Sequence, residues 1–184
     1  TDCDYVRSDF VGNVFNVQMP GHAGGLLVTV PEETGLAGVR RGDRVDLEGI
    51  LGVSTFTGET YLSTYSLPLV RQHGEPPRPI FMRTSALGGA ALAPGTPDER
   101  PGVTKPAGQG TYNKGLLVRI AGRVTHVNYF NRFFYLDDGC LLEDGYGAYG
   151  VRVSYDYQDP WGGGEPVQPP DLGSIVVATG ICSS

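Results

Sequence analysis

The sequence predicts an all-β protein made of two small barrels in tandem, joined by a Gly/Pro-rich segment. Its 184 residues include 28 Gly and 14 Pro, a content typical of a chain with many turns. No window longer than a few residues repeats apolar side chains with a helical period, whereas several segments alternate them with period two. No apolar run approaches the roughly 18 residues that span a membrane. We therefore expect strands and turns throughout and no membrane partner.

The first half of the chain contains four clear strand predictions. Apolar and polar residues alternate most clearly in 13–18 and 42–53, and Gly- or Pro-containing turns separate the predicted strands. The predicted strands cover residues 13–18, 25–30, 42–53 and 61–70, and residues 1–11 have weaker strand character. Pro68 cannot donate a backbone hydrogen bond, so the last of these strands is expected at a sheet edge.

The strongest strand prediction covers residues 116–128, and the second half is organised around it. Period two places one set of side chains on one face: Leu116, Val118, Ile120, Gly122, Val124 and His126. A glycine inside a strong strand marks a bulge or a sharp coil, so Gly122 is expected to bend the strand. Further strands are predicted at 133–138, 150–155 and 174–180. A long coiled strand followed by this order resembles the OB-fold, a five-stranded Greek-key barrel.

The two halves share an order of motifs. VFNVQM, GLLVTV and GDRVDLEG in the first half match FFYLDD, GVRVSY and GSIVVATG in the second. We interpret this as an internal duplication, with a first barrel at residues 1–71 and a second at 112–184. Between them, residues 72–111 are rich in Gly and Pro, which predicts irregular structure. The apolar run at 80–82 favours an ordered, packed connection over a disordered linker.

The duplication is incomplete at opposite ends of the two halves. The first half has a fifth predicted strand at 61–70, whereas too few residues follow Gly180 for a fifth strand in the second. A barrel without its last strand exposes unpaired backbone groups that template pairing with another chain. We therefore expect the N-terminal segment of a neighbouring subunit to add a strand there, head to tail, in a ring or a filament. The alternative is two degenerate barrels whose open edge is covered by the segment 72–110.

The cysteines bear on the same contact. Cys3, Cys140 and Cys182 lack the CxxC spacing of a zinc site, and an odd count in a secreted protein suggests an interchain pair or a free thiol. We predict an intersubunit disulfide between Cys3 and Cys182, with Cys140 as a third thiol. Three small buried thiols are the alternative. Because the chain begins at Thr1, we expect either a fragment or a secreted protein whose signal peptide has been removed.

The sequence favours neither an enzyme nor a resident cofactor. Its histidines, His22, His73 and His126, are scattered, and no nucleophile, zincin or nucleotide-binding motif is present. The densest acidic cluster offers hard oxygen ligands for Ca²⁺ and consists of Asp137, Asp138, Glu143 and Asp144. The cluster lacks the alternating spacing of a calcium-binding loop. The other interpretation is a solvated turn whose carboxylates accept hydrogen bonds from nearby backbone N–H groups.

Aromatic side chains are dense in the second half and predict a contact face. The face comprises Tyr129, Phe130, Phe133, Tyr135, Tyr155 and Trp161. Single-stranded nucleic acids stack on such rings inside a basic groove. From Gly115 onward, however, four Arg stand against eight Asp and Glu residues, so a nucleic-acid partner is disfavoured. Carbohydrate needs no positive field, and protein contacts also favour Tyr and Trp.

Several motifs together carry a family resemblance. GLLVRIAGRVT, FFYLDDG, GVRV and IVVATGI resemble the C-terminal repeat of secreted tandem OB-fold proteins of thermophilic bacteria, and the resemblance covers about residues 5–182. Cys140 stands where that family usually has Ser, and this chain stops where the family continues with a further strand. The predominance of Arg over Lys also hints at a hot or harsh setting.

The tandem architecture also resembles obulin, the subunit of extracellular filaments built from OB-folds. The resemblance implies a secreted structural protein whose partner is itself, assembled as a helical polymer, with no catalytic residues. The alternative is a monomeric module that binds carbohydrate or single-stranded nucleic acid through the aromatic face.

Overall fold

A computed structural model describes residues 13–31, 38–54, 60–88, 113–143, 147–155 and 168–183. The fold within these ranges is almost entirely β, which confirms the predicted class. The strands are β1 (Asn13–Gln18), β2 (Gly25–Val30), β3 (Arg44–Asp46), β4 (Gly49–Val53), β5 (Thr60–Thr64), β6 (Leu69–Gln72), β7 (Ile80–Phe81), β8 (Leu117–Asn128), β9 (Phe133–Asp137), β10 (Val151–Ser154) and β11 (Ile175–Ile181). Two single 3₁₀ turns accompany them, at Pro20–His22 and Thr84–Ala86.

The chain divides into two compact units. The first contains residues 1–80, 113–117 and 180–184, and the second contains residues 81–112 and 118–179. Both units are therefore built from segments far apart in the chain. The boundaries at residues 71 and 112 that the motif duplication suggests stay a prediction.

The first unit is built on a four-stranded sheet with the order β1-β2-β5-β4. The β2–β5 pair is parallel, and the other neighbours are antiparallel. Alternation along β1 places Val14 and Phe15 on opposite faces, and each face carries its own apolar cluster. Phe15 packs with Val28 and Val30 on one face. The other face holds a smaller cluster of Val14 and Leu27, with Tyr61 packed against it.

Two of the predicted long strands are each divided in the structure. Residues 42–53 form β3 and β4, and residues 61–70 form β5 and the start of β6. The prediction of single strands was wrong because the parts pair in different sheets: β3 with β6, and β4 with β5. Pro68 lies at the break between β5 and β6, where its missing N–H interrupts no ladder.

The second unit contains most of a five-stranded sheet centred on β8. Its order is β10-β9-β8-β11, and β7 also pairs with β8. The alternation predicted for β8 is confirmed as far as Val124, because Val118, Ile120 and Val124 are buried. His126, predicted on the same face, is exposed, because the register shifts after Val124. The remaining predicted strands, near 133–138, 150–155 and 174–180, are confirmed as β9, β10 and β11.

The bulge expected at Gly122 lies further along β8. The register against β9 shifts between Val124 and His126, so that Thr125 is the extra residue. At Gly122, the backbone of β9 approaches closely, because a Cβ on this glycine would lie 2.4 Å from the carbonyl oxygen of Asp137. The glycine is thus needed for close strand approach, and the bulge predicted at Gly122 lies at Thr125 instead.

The segment predicted as a connection between barrels contributes a strand to this sheet. Met82, directly after β7, donates its backbone N–H to the carbonyl oxygen of Arg119 in β8 at 3.0 Å. The 3₁₀ turn Thr84–Ala86 follows. Residues 80–82 of this segment are therefore held by backbone pairing with β8.

Two glycines bring distant parts of the first unit into backbone contact. A Cβ on Gly25 would lie 2.1 Å from the carbonyl carbon of Gly115, and Gly115 adopts a φ of +79°. Nearby, the side-chain Oε1 of Gln18 accepts the backbone N–H of Leu117 at 3.0 Å. Residues about 90 positions apart therefore meet at a point that only glycine allows.

We predict that Gly25→Ala destabilises the protein by about 3 kcal/mol or more, because the new methyl group overlaps backbone atoms that no rotamer change can move. Thermal and urea unfolding measure the change. Gly180→Ala is the matched control, since among the described residues, its two chain neighbours aside, no atom lies within 4 Å of its added Cβ. The control is expected within about 0.5 kcal/mol of wild type. Equal stability of the two variants would contradict the close contact.

Candidate functional site

The strongest candidate for a functional surface is the outer edge of β11. In the part of the chain that the structure describes, β8 is the only strand paired with β11. The strand reads IVVATGI and contains no charged residue and no proline. Every second side chain faces solvent, and Ile175 and Val177 are 74% and 61% exposed. Such an edge offers a row of backbone hydrogen-bonding groups beside apolar side chains.

The inner side of β11 is held firmly at both ends. At its start, Val124 donates to the carbonyl oxygen of Ser174 and accepts from the N–H of Gly173, each at 2.8 Å. At its end, the backbone of Cys182 bonds to Leu116 at 3.0 Å and to Gly115 at 2.7 Å. The exposed edge thus belongs to a fixed strand, which makes it a preformed surface.

The structure places two of the three cysteines. Cys140 is a half-buried thiol, and Cys182 is a buried thiol directly after β11. Cys3 lies outside the described residues, so the pairing of Cys3 with Cys182 stays a prediction. Cys140 lies beside Asp138, whose carboxylate accepts its backbone N–H at 3.3 Å.

The described carboxylates of the acidic cluster bond to the protein itself. Asp138 accepts two hydrogen bonds from Thr84, from the backbone N–H at 2.9 Å and from the hydroxyl at 2.6 Å. Asp137 accepts the N–H of Leu141 at 3.1 Å. Asp144 lies outside the described residues, and Glu143 is exposed. Among the described residues, no three His, Cys, Asp or Glu side chains are grouped as a metal site would require.

The hydrogen bonds to Asp138 stabilise its charged form. Burial raises the pKa of this carboxyl, but the bonds from Cys140 and Thr84 outweigh burial and hold the pKa below its usual range. Thr84 is fully buried. Asp138 therefore fastens the turn after β7 to the end of β9. No local sequence pattern signals this contact, because the two residues are 54 positions apart.

The predicted aromatic face is only partly on the surface. Tyr129 and Phe130 form the exposed tip of the β8–β9 turn, and Phe130 is 93% exposed. Phe133 is half-buried, with the guanidinium of Arg152 5.6 Å from its ring centre. Tyr135, in the middle of β9, is buried, with 1% of its surface exposed. Trp161 lies outside the described residues.

Tyr155, the last described residue of the predicted aromatic face, is half-buried, and its ring lies 6.1 Å from that of Phe134.

The three histidines lie outside the predicted aromatic face or at its margin. His22 contacts the side chain of Gln18, and His73 bonds to Asp43 at 2.8 Å. His126 is exposed, and its ring lies 6.2 Å from that of Phe133.

Comparisons with protein-family models, with curated protein sequences and with solved structures found no match. Within the described ranges, no helix is long and apolar enough to cross a bilayer.

We predict that Asp138→Asn destabilises the protein by about 2–3 kcal/mol, because the amide nitrogen cannot accept a hydrogen bond from buried Thr84. Chemical denaturation at pH 7 measures this loss. Asp137→Asn, which removes one exposed acceptor, is the control and is expected to cost about 1 kcal/mol or less.

The stability difference between wild type and Asp138→Asn is also expected to depend on pH. A carboxyl whose pKa is lowered by folding adds stability above its unfolded pKa, and this contribution is lost as the pH falls through the folded pKa. The stability difference between wild type and Asp138→Asn should therefore shrink below about pH 4. A difference that stays constant from pH 7 to pH 3 would contradict the charged hydrogen bonds.

Proposed function

We propose that this chain is a secreted structural subunit that assembles head to tail into an extracellular filament by β-strand addition. In this proposal its two halves are OB-fold-like barrels. The observation that supports it best is the edge of β11, which is uncharged, apolar and firmly held on its inner side. The donated strand is the N-terminal segment, residues 1–11, of the next subunit, which has strand character in the sequence.

Strand addition suits this edge for physical reasons. Backbone hydrogen bonds supply affinity without any particular side chain, and pockets for alternate side chains supply register. The exposed row of Ile175 and Val177 lies on one face of the sheet, and an apolar residue of the donor on that face, such as Tyr5 or Val6, would cover it. Because donor and acceptor are different surfaces, each subunit can bind two neighbours, and the contact propagates.

The position of Cys182 is compatible with a disulfide across the same contact. It directly follows the acceptor strand, and Cys3 lies within the proposed donor segment. Since Cys182 is buried, pairing requires its side chain to turn toward the added strand. The disulfide would lock a contact that the backbone pairing has already formed.

A second candidate function is a monomeric binding module. The exposed rings of Tyr129 and Phe130 at the β8–β9 turn favour it, since sugars and unstacked bases bind flat on aromatic faces. The cation above Phe133 adds one positive charge nearby. A carbohydrate ligand fits the acidic composition of this half better than a nucleic acid does.

We predict that Val177→Lys abolishes filaments while leaving the subunit folded, because a charged side chain on an edge strand opposes the addition of another strand. Negative-stain electron microscopy and sedimentation measure assembly. Leu141→Lys is the matched control, since Leu141 is similarly exposed but lies outside the strands. Filaments of normal length from Val177→Lys would contradict the role of this edge.

Non-reducing gels of Cys3→Ser report the disulfide separately. If Cys3→Ser loses the ladder of disulfide-linked oligomers but still forms filaments, the disulfide forms after strand addition and assembly does not require it. A full ladder in Cys3→Ser would contradict the Cys3–Cys182 pair.

If the chain is instead a binding module, Phe130→Ala should weaken binding about 5- to 150-fold on glycan or oligonucleotide arrays, because stacking on one ring contributes about 1–3 kcal/mol. Phe81→Ala is the control, since Phe81 is also largely exposed but lies on β7. Oligonucleotide affinity should also fall steeply with salt, whereas glycan affinity should not. Equal binding by both variants would show that the β8–β9 turn is not the binding site.

A further inference from the structure

β4 is a second exposed edge, and its apolar side chains are exposed on both faces. It ends the four-stranded sheet of the first unit, and β5 is its only partner in the described part of the chain. Ile50, Leu51 and Val53 are 59%, 64% and 51% exposed. Apolar residues exposed on both sides of one short strand are unusual on a surface that contacts only water.

Within residues 49–53, this edge lacks three of the usual protections against pairing: a charge, a proline and a bulge. Residues 49–53 contain no charge and no proline. Its register with β5 runs through five consecutive residue pairs without a shift, so no bulge twists the edge away. Gly52 lies directly under the ring of Tyr61, where a Cβ would be 2.6 Å from the ring. The strand therefore lies close against β5 and presents a regular outer edge.

An apolar row that begins in the core ends on β4. The row runs across the sheet from Val28 to Leu62 and then to Leu51, which are cross-strand neighbours. Val28 is fully buried, Leu62 packs against the core, and Leu51 is exposed. A further strand beside β4 with an apolar residue opposite Leu51 would continue this row.

The sequence of β4 is complementary to itself in one antiparallel register. If two copies pair with Leu51 opposite Leu51, then Gly49 faces Val53 and Ile50 faces Gly52. Each β-branched side chain is thus opposite a glycine, which leaves room for it. Glu48, the nearest charged residue, falls opposite the uncharged Ser54. No like charges meet, although each chain has a net charge of −6.

We propose that the β4 edge is a homotypic docking surface, where a second copy of this chain pairs antiparallel in the register centred on Leu51. The contact is isologous, with a two-fold axis through the paired Leu51 residues. It therefore differs from a head-to-tail contact and goes beyond the proposed filament: it joins two filaments side by side, or two subunits where no filament forms.

Four full-length proteins test the surface: wild type, Leu51→Lys, Val177→Lys and the double variant. Analytical ultracentrifugation and negative-stain microscopy measure their assembly. We expect paired filaments from wild type, single filaments from Leu51→Lys, dimers from Val177→Lys and monomers from the double variant. Leu141→Lys is the control, because Leu141 is also 64% exposed and should leave pairing unchanged.

The outcomes separate the two proposals. If wild type forms dimers and no filaments, and Leu51→Lys is monomeric, the β4 contact is supported and the filament proposal fails. If Val177→Lys is already monomeric, or if Leu51→Lys pairs as wild type does, the β4 contact is overturned.

A cysteine placed on the two-fold axis tests the register without adding charge. Opposite residues of an antiparallel pair have Cα atoms about 4.5–5.5 Å apart, which is within reach of a disulfide. Leu51→Cys in an equimolar mixture of ¹⁴N- and ¹⁵N-labelled protein should therefore give a mixed-isotope peptide linked through position 51 after mild oxidation.

Ile50→Cys is the matched control for this measurement. In the proposed register, the two copies of position 50 are diagonal neighbours about 8 Å apart, too far for a disulfide. We expect its yield of linked peptide to be at least tenfold lower. Similar yields from both variants, or no linked peptide from Leu51→Cys, would overturn the register.

Discussion

The backbone hydrogen bonds of β8 are the interaction on which most of the five-stranded sheet depends. This strand is paired with β9, β11 and β7. The contacts of Val124 show why β8 lies in the middle of the five-stranded sheet. Its side chain is buried, its backbone bonds to the segment before β11, and it stands opposite Leu136 of β9. Buried backbone groups must be paired, so the loss of any neighbour would leave N–H and C=O groups of β8 unsatisfied.

Two further contacts stabilise the pairing of β8 with its neighbours: a close backbone approach and a set of hydrogen bonds to a carboxylate. Gly122 lets the backbone of Asp137 come nearer than any side chain would allow. The next residue, Asp138, then holds the buried Thr84 through two hydrogen bonds. A small residue and a carboxylate therefore fix the end of β9 against β8 and the turn after β7. Two carboxylates of the acidic cluster that the sequence offers for Ca²⁺, Asp137 and Asp138, accept protein hydrogen bonds in the structure.

Two uncharged edge strands carry exposed apolar side chains and have one strand partner each among the described residues, and they differ in kind. β11 has a one-sided exposed row, which fits a donated strand that is unlike itself. β4 is exposed on both faces and complementary to itself, which fits a two-fold contact. One contact extends an assembly without limit, and the other closes after two copies. Together they would give a structural protein both length and lateral cohesion, with no need for a catalytic site.

The amino-acid sequence is enough to predict the all-β class, the position of β8 and its buried face as far as Val124, and the strands that follow it. These features depend on local alternation, which needs no knowledge of partners. It did not reveal that 42–53 and 61–70 each divide between two sheets, that β7 pairs with β8, or that Tyr135 is buried. Those outcomes depend on which strands become neighbours, and only tertiary structure decides that. The contacts of Gly25 with Gly115 and of Thr84 with Asp138 have the same origin, because each joins residues that local sequence patterns treat separately.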